Sequence, residues 1–167
     1  MTTPSLTLPD HTAPDPTAVS AETRAIVDAH AHLEGPLLPI LHAVHAAFGH
    51  LPQAALPVIA EALALSRAEV HGVASFYHDF REMPAGRRVV KLCRAEACQA
   101  VGARQLADHA QARLGIGWGE TTADGAVTLE PVYCLGLCAC GPAAMVDDQL
   151  AGRLTPEAFD RMLEGVA

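Results

Sequence analysis

The amino-acid sequence predicts an α/β protein in which a bundle of short helices precedes a mixed domain of strands and helices. Apolar residues recur with helical periodicity over residues 20–80, whereas short β-branched segments alternate with helical ones after Arg81. Strands mixed with helices in one segment of about 80 residues are typical of an α/β or α+β domain. The chain also has five cysteines, all in this second part: Cys93, Cys98, Cys134, Cys138 and Cys140.

Residues 1–19 are expected to form a flexible arm, because prolines recur there among Thr and Asp. A helical domain is predicted over residues 20–85, and the mixed domain over residues 86–167. Ser20 is the expected cap of a first helix that continues to His32.

Three more helices are predicted in the first domain. Pro36 suits the first turn of the second helix, and Gly49 ends it. The third contains Pro57, which disrupts a helix interior, so its start is expected to be shifted or its axis kinked. Ser66 and Glu69 have the spacing of a capping box and open the fourth helix.

The end of the fourth helix is aromatic, with Phe76, Tyr77 and Phe80 close together. Such a group either packs into the core or forms a docking patch for a partner, and core packing is the more common outcome.

The mixed domain begins with a β-branched strand at residues 88–92 that leads into Cys93. A helix is predicted over residues 99–114. A strand over residues 127–133 follows the Asp124-Gly125 turn, and two short strands over 143–146 and 150–154 form a hairpin. The last helix begins with Thr155 as its cap and Pro156 as its first residue.

Composition and charge exclude several classes of protein. The 167 residues carry 11 Lys and Arg against 19 Asp and Glu, a net charge of −8, which argues against binding to nucleic acid. The sequence has no apolar run long enough for a membrane span, so direct membrane insertion is not expected. No export signal is recognisable, which predicts a cytoplasmic location. In that reducing compartment, clustered cysteines indicate metal or redox chemistry rather than disulfides.

The cysteines form two pairs with different spacing. Cys93 and Cys98 are a C-x4-C pair, and Cys134 and Cys138 are a C-x3-C pair. Each pair follows a predicted strand, so four thiolates converge if the two strands are neighbours in one sheet. Thiolates select zinc, copper(I) or iron–sulfur clusters. The wide spacing favours a [2Fe–2S] cluster, and a zinc-stapled interaction module is the alternative.

Several neighbours of these pairs have two possible roles. Cys140 is interpreted as a nearby thiol that does not bind the metal, although it is also placed to substitute for Cys138. Gly136 and Gly141 either permit tight turns or let backbone N–H groups approach sulfur, and the two roles are compatible. Arg94, next to Cys93, either offsets the negative charge of a cluster or is a solvated surface residue.

Two segments carry a resemblance to a known family: PLLPILHAVHAAFGHLP at residues 36–52 and SRAEVHGVASFYHDF at 66–80. Together with the cysteine spacing, they resemble the thioredoxin-like [2Fe–2S] ferredoxin subunits of NADH-linked dehydrogenases. This family includes a peripheral subunit of respiratory complex I, a subunit of bidirectional hydrogenases and the gamma subunit of NAD-dependent formate dehydrogenase. The resemblance covers about residues 35–165. It implies a thioredoxin-like second domain with these cluster ligands: Cys93, Cys98, Cys134 and Cys138.

The resemblance also implies a role. Tyr133 before the third ligand, and Gly141-Pro142 after the fourth, look more like the formate dehydrogenase gamma subunit than like complex I subunits. The implied function is electron transfer between the cluster and a partner subunit that holds FMN and NAD. A molybdenum cofactor is then expected on a separate catalytic dehydrogenase subunit. The chain itself has no recognisable flavin or NAD motif, so it is not expected to be catalytic alone. Membership of a hydrogenase or of complex I is the alternative.

Overall fold

The computed structural model describes residues 15–164. The described residues up to Pro84 form one compact unit, and those from Ala85 onward form a second. In neither of these parts is a helix both long enough and apolar enough to cross a membrane.

The first unit contains four helices: α1 (Pro16–His30), α2 (Leu37–Phe48), α3 (Ala55–Ala62) and α4 (Arg67–Phe76). Helix α1 begins before the predicted cap Ser20, because the Asp15 carboxylate accepts the Thr17 N–H at 2.9 Å and Pro16 occupies the first helical position. The prediction for residues 16–19 was therefore wrong. The rest of the predicted arm, residues 1–14, lies outside the described residues.

The end of α2 and the starts of α3 and α4 are determined by residues within one turn of each position. Gly49 ends α2 with a left-handed φ of 72°. Pro57 lies in the first turn of α3, where its missing N–H leaves no helical hydrogen bond unmade. The predicted capping box at α4 is confirmed: Ser66 N–H donates to Glu69 Oε2 at 2.8 Å, and Glu69 N–H donates to Ser66 Oγ at 3.2 Å.

The helices of this unit pack around one apolar core. Its fully buried side chains come from all four helices and include Val19, Ile40, Leu41, Val44, Ile59 and Val70. The three aromatic residues near the end of α4 differ in their burial. Phe80 is buried in this core, whereas Phe76 is 73% exposed and Tyr77 is also exposed. Core packing therefore explains only one of the three aromatic residues.

The second unit is built on a four-stranded sheet with the order β2-β1-β3-β4. The strands are β1 (Arg88–Cys93), β2 (Val127–Val132), β3 (Ala144–Val146) and β4 (Gln149–Ala151). Strand β1 pairs with β2 in parallel and with β3 antiparallel, and β3 and β4 form the predicted hairpin. Parallel pairing of β1 and β2 requires a crossover, which contains two helices.

These two helices are α5 (Glu96–Ala100) and α6 (Ala103–Leu114), where the sequence predicts one helix over residues 99–114. The chain turns between them at Gly102, whose φ of 102° is accessible to glycine and interrupts the helix. The last helix, α7 (Pro156–Glu164), begins as predicted, and Thr155 Oγ1 accepts the Ala158 N–H at 3.2 Å. Phe159 of α7 is fully buried in the core of this unit.

Candidate metal centre

The two cysteine pairs follow neighbouring strands, as the sequence predicts. Cys93 is the last residue of β1, and its register partner on β2 is Val132, two residues before Cys134. Because the two strands are parallel, both cysteine-bearing loops leave the sheet at the same edge. The hydrogen bond from Cys93 N–H to Ala143 O, at 3.0 Å, joins the segment before β3 to this edge.

The two cysteines of each pair lie near each other. Cys98 lies in α5 and is buried in the same apolar cluster as Cys93. Cys138 begins a short 3-10 turn over Cys138–Cys140, and its sulfur lies 3.5 Å from the sulfur of Cys134. Two ligands of one tetrahedral metal ion with metal–sulfur bonds of about 2.3 Å lie about 3.8 Å apart. The separation in the second pair therefore suits two ligands of one iron.

The two pairs differ in exposure. Cys93 and Cys98 are buried, together with the small side chains of Ala103 and Ala143. Cys134 and Cys138 are exposed. A group held by all four sulfurs is thus buried on the side of the first pair and close to the surface on the side of the second.

A backbone N–H group points at a sulfur atom of the second pair. Gly136 N–H donates to the sulfur of Cys134 at 3.4 Å, so the predicted approach of a backbone N–H at Gly136 is present. Hydrogen bonds of this kind stabilise thiolate charge and tune the potential of iron–sulfur clusters.

The surroundings shift the thiol pKa values in opposite directions. Burial raises the pKa of Cys93, but hydrogen bonds from Ala95 N–H, the Cys98 thiol and Leu135 N–H outweigh it, and the pKa lies below its usual value. Burial, and then donation to the sulfur of Cys93, raise the pKa of Cys98.

The pKa of Cys138 is raised as well, first by its hydrogen bond to Cys134 and then by repulsion from that sulfur. In the first pair, the sulfur of Cys93 is therefore more readily deprotonated than the sulfur of Cys98. Four thiolates at this edge need a positively charged group to compensate them.

The second loop has an unusual backbone. Cys134 adopts a φ of 106°, a region that residues with a side chain rarely occupy. Gly136 follows with a left-handed φ of 78°. Strained backbone of this kind is concentrated at functional sites, where the surrounding structure maintains it.

Cys140 is fixed by contacts on the other side of the 3-10 turn. Its carbonyl accepts the Arg153 N–H at 2.6 Å, and Gly152 packs directly against it. Neither contact involves the sulfur of Cys140, so its predicted role as a thiol that does not bind the metal stays a prediction.

The donor set fits a [2Fe–2S] cluster. Within residues 15–164, no three His, Cys, Asp or Glu side chains are arranged around one point as a single metal ion requires. Two separate pairs of thiols instead suit a group that distributes its ligands over two irons. The buried small residues around the first pair and the N–H groups directed at sulfur fit the same group.

Some residues of the site have no signal in the sequence. Gln99 Nε2 donates to Arg94 O at 2.8 Å and closes the loop between Cys93 and Cys98. The guanidinium of Arg94 lies over the indole of Trp118, 5.0 Å from the ring centroid. Gln99 directly follows Cys98, but the cysteine spacing indicates nothing about its role, and only the tertiary structure brings Trp118 to this edge.

Relatives of the chain carry a common name. It is 40% identical to the E subunit of NADH-quinone oxidoreductase from Pseudomonas aeruginosa over 116 residues, which are 70% of each protein. It is 36% identical to the protein of the same name from Escherichia coli (strain K12) over 148 residues, covering 87% of this chain and 89% of that protein.

A solved structure and a family model agree with these relatives. An NAD+-reducing [NiFe]-hydrogenase in the air-oxidized state superposes with a TM-score of 0.65 at 28% identity, covering 78% of this chain but only 22% of that chain. The model of the thioredoxin-like [2Fe–2S] ferredoxin family matches residues 23–167. The predicted fold class, an α/β protein with a thioredoxin-like ferredoxin domain, is confirmed, and the chain belongs to the thioredoxin-like [2Fe–2S] ferredoxin family.

Proposed function

We propose that the chain is an electron-transfer subunit that holds one [2Fe–2S] cluster through Cys93, Cys98, Cys134 and Cys138. The observation that carries the proposal is the position of both cysteine pairs at one edge of the sheet, fixed by the parallel register of β1 and β2. When bound, such a cluster takes up or releases one electron at a time. The chain's own residues bind the irons, direct N–H groups at the sulfurs and bury one side of the site.

The difference in exposure between the two cysteine pairs indicates on which side of the cluster electrons pass to or from another protein. Cys93 and Cys98 are buried, whereas Cys134 and Cys138 reach the surface. The side of the second pair is therefore the side from which an electron has the shortest path to another protein. Tyr133, which precedes Cys134 and is 71% exposed, lies on this side.

The proposed electron partner is a subunit that binds FMN and NAD. This proposal is supported by the relatives named as NADH-quinone oxidoreductase subunits and by the structural likeness to an NAD+-reducing hydrogenase. The more specific proposal is a cytoplasmic NAD-dependent formate dehydrogenase with a molybdenum cofactor on its catalytic subunit. It rests on Tyr133 and Gly141-Pro142 alone, and the relatives described above do not carry that name. The alternative is a hydrogenase or complex I, and the names of these relatives support that alternative.

The helical unit is proposed to dock on the flavin subunit. Beside α4 it has an open groove of about 810 Å³, lined mostly by apolar residues, among them Leu37, Leu63, Leu65 and Val73. Phe76 stands at this groove and is 73% exposed, which is unusual for a large apolar side chain without a partner. Replacing Phe76 by Ser is expected to weaken copurification with the flavin subunit and to leave the cluster content unchanged.

The ligand assignment is tested on purified variants. Alanine at any of the four proposed ligand positions is expected to abolish or strongly reduce iron and acid-labile sulfide, whereas Cys140→Ala is expected to retain both. Cys140→Ala is the matched control, since it removes a thiol from the same turn. Loss of the cluster in Cys140→Ala together with retention in Cys138→Ala would overturn the assignment. Zinc without labile sulfide in the anaerobically purified protein would favour the zinc-stapled module.

The electron-transfer role is tested by mixing. The isolated chain is expected to show no oxidation of NADH or formate. Addition of the flavin subunit is expected to let NADH reduce the cluster, seen as the appearance of the EPR signal of the reduced state. A cluster that NADH reduces equally well without the flavin subunit would contradict the proposed path.

A further inference from the structure

Arg94 connects three segments at the base of the two cysteine loops. Its N–H donates to Val132 O at 2.7 Å, which ties the end of β1 to the end of β2. Its carbonyl accepts the Gln99 side chain at 2.8 Å. Its guanidinium stacks on Trp118, 5.0 Å from the ring centroid. A residue adjacent to Cys93 is thus fixed at its N–H, its carbonyl and its side chain.

Trp118 belongs to a segment that runs along the outer edge of β2. Gly119 N–H donates to Leu129 O at 2.7 Å, and Leu129 N–H donates to Glu120 O at 3.1 Å. The indole is partly buried against the core of the second unit, so its position is held by that core.

The stacked guanidinium is a fixed positive charge. Arginine stays protonated at any pH at which proteins fold, and an aromatic face attracts its guanidinium. Within the described part of the chain, no carboxylate forms an ion pair with Arg94. Consecutive Cα atoms are about 3.8 Å apart, so the backbone of Arg94 lies directly beside that of a proposed ligand, Cys93.

We propose that Arg94, held in place by Trp118, is a positioning residue that raises the reduction potential of the cluster. The inference rests on the proposed function, since it assumes that the cluster is present. Reduction transfers one electron from an external reductant to the cluster and breaks no bond of the chain, so the site gains one negative charge. A positive charge beside Cys93 stabilises the reduced state more than the oxidised state.

The test is an anaerobic redox titration of the full chain, followed by the EPR signal of the reduced cluster. Arg94→Gln is expected to lower the ratio of reduced to oxidised cluster three- to tenfold at a fixed solution potential, which is about 28 to 59 mV for one electron. Arg94→Lys keeps the charge and is expected to restore more than half of this difference. Trp118→Leu removes the stacking face and is expected to lower the potential, whereas Trp118→Phe retains a face and the wild-type potential.

The matched control is Arg113→Gln, which changes the net charge of the chain by the same amount. Arg113 lies in the last turn of α6 and pairs with Asp160 at 3.8 Å. It is ten residues from the start of that helix beside Cys98, about 15 Å along the helix axis. Its replacement is expected to leave the potential unchanged. A potential that shifts equally in both glutamine variants would show a general charge effect and overturn the proposal.

Two further outcomes would also overturn it. The first is an Arg94→Gln variant with full iron content and the wild-type reduction potential, even if its affinity for the flavin subunit is lower. The second applies if Arg94→Gln does not retain the cluster. In that case, equal reduction potentials for Trp118→Leu and Trp118→Phe refute the inference. Absence of a cluster from the wild-type chain would instead refute the proposed function, so the two failures are distinguishable.

Discussion

Gly141 lies where the second cysteine loop crosses the first, and a single methyl group there is a sharp probe of the site. Its φ of −67° is accessible to alanine, so the backbone itself does not oppose the change. A Cβ at this position would lie 2.8 Å from Val101 Cγ2 and 3.3 Å from both the Cα and the sulfur of Cys98. The effect of Gly141→Ala is therefore steric.

The expected magnitude follows from these distances. Ordinary contacts begin at 3.4 Å, so Val101 has to move by about 0.6 Å, and the tight contact with Cys98 prevents the new methyl group from moving the other way. Overpacking of this kind costs about 1–3 kcal/mol in the free energy of unfolding. For a unit of this size, the lower limit corresponds to a decrease in Tm of about 4 °C. Because Cys98 is displaced, the iron content is expected to fall as well.

Thermal unfolding and iron analysis of purified protein measure both effects. Gly72→Ala is the control for the added methyl group, because nothing lies within 4 Å of the new Cβ. Since Gly72 lies inside α4, this change is expected to stabilise the protein by about 0.5–1 kcal/mol rather than to destabilise it. The double variant Gly141→Ala/Val101→Ala removes the atom nearest to the new methyl group and is expected to recover part of the Tm and of the iron. Val101 is 53% exposed, so Val101→Ala alone is expected to change stability by less than about 0.5 kcal/mol. Equal Tm and iron values for the single and double variants would refute the steric reasoning.

Three other predictions concern stability. Ser66→Ala removes the cap of α4 and should cost about 1 kcal/mol, measured by urea unfolding; no loss would show that the capping box is dispensable. Phe159→Ala empties a fully buried site and should cost about 3–5 kcal/mol, with a smaller value indicating that the core collapses into the space. Burial, and then the nearby charge of Arg81, lower the pKa of His45, so the unfolded chain binds a proton more readily than the folded one. The free energy of unfolding should therefore fall as the pH drops below about 6.5, the pKa of histidine in the unfolded chain. Urea unfolding at several pH values should show a weaker pH dependence for His45→Gln than for the wild type. The same pH dependence in both proteins would contradict the role given to His45.

The sequence by itself determined the features that depend on neighbouring residues. The capping box of Ser66 and Glu69, the end of α2 at Gly49 and the start of α7 at Pro156 were all predicted where the structure has them. Each depends on the hydrogen bonds of a single helix turn, so the residues within that turn are sufficient. The same reasoning missed the first helix start, because Asp15 precedes Ser20 as an equally suitable cap and only Asp15 is followed directly by proline.

Only the tertiary structure decided how the parts of the site meet. The spacing of the cysteines predicted two pairs, but their convergence required β1 and β2 to be parallel neighbours, and pairing between distant strands has no local signal. Hydrogen bonds from the N–H groups of Ala95 and Leu135 lower the pKa of Cys93, and the side chains of these two residues indicate nothing about this role. The contact of Arg94 with Trp118 likewise joins residues that are far apart along the chain. Local chemistry follows from residue order, whereas the electrostatic environment of the site depends on strand pairing and packing across the whole unit.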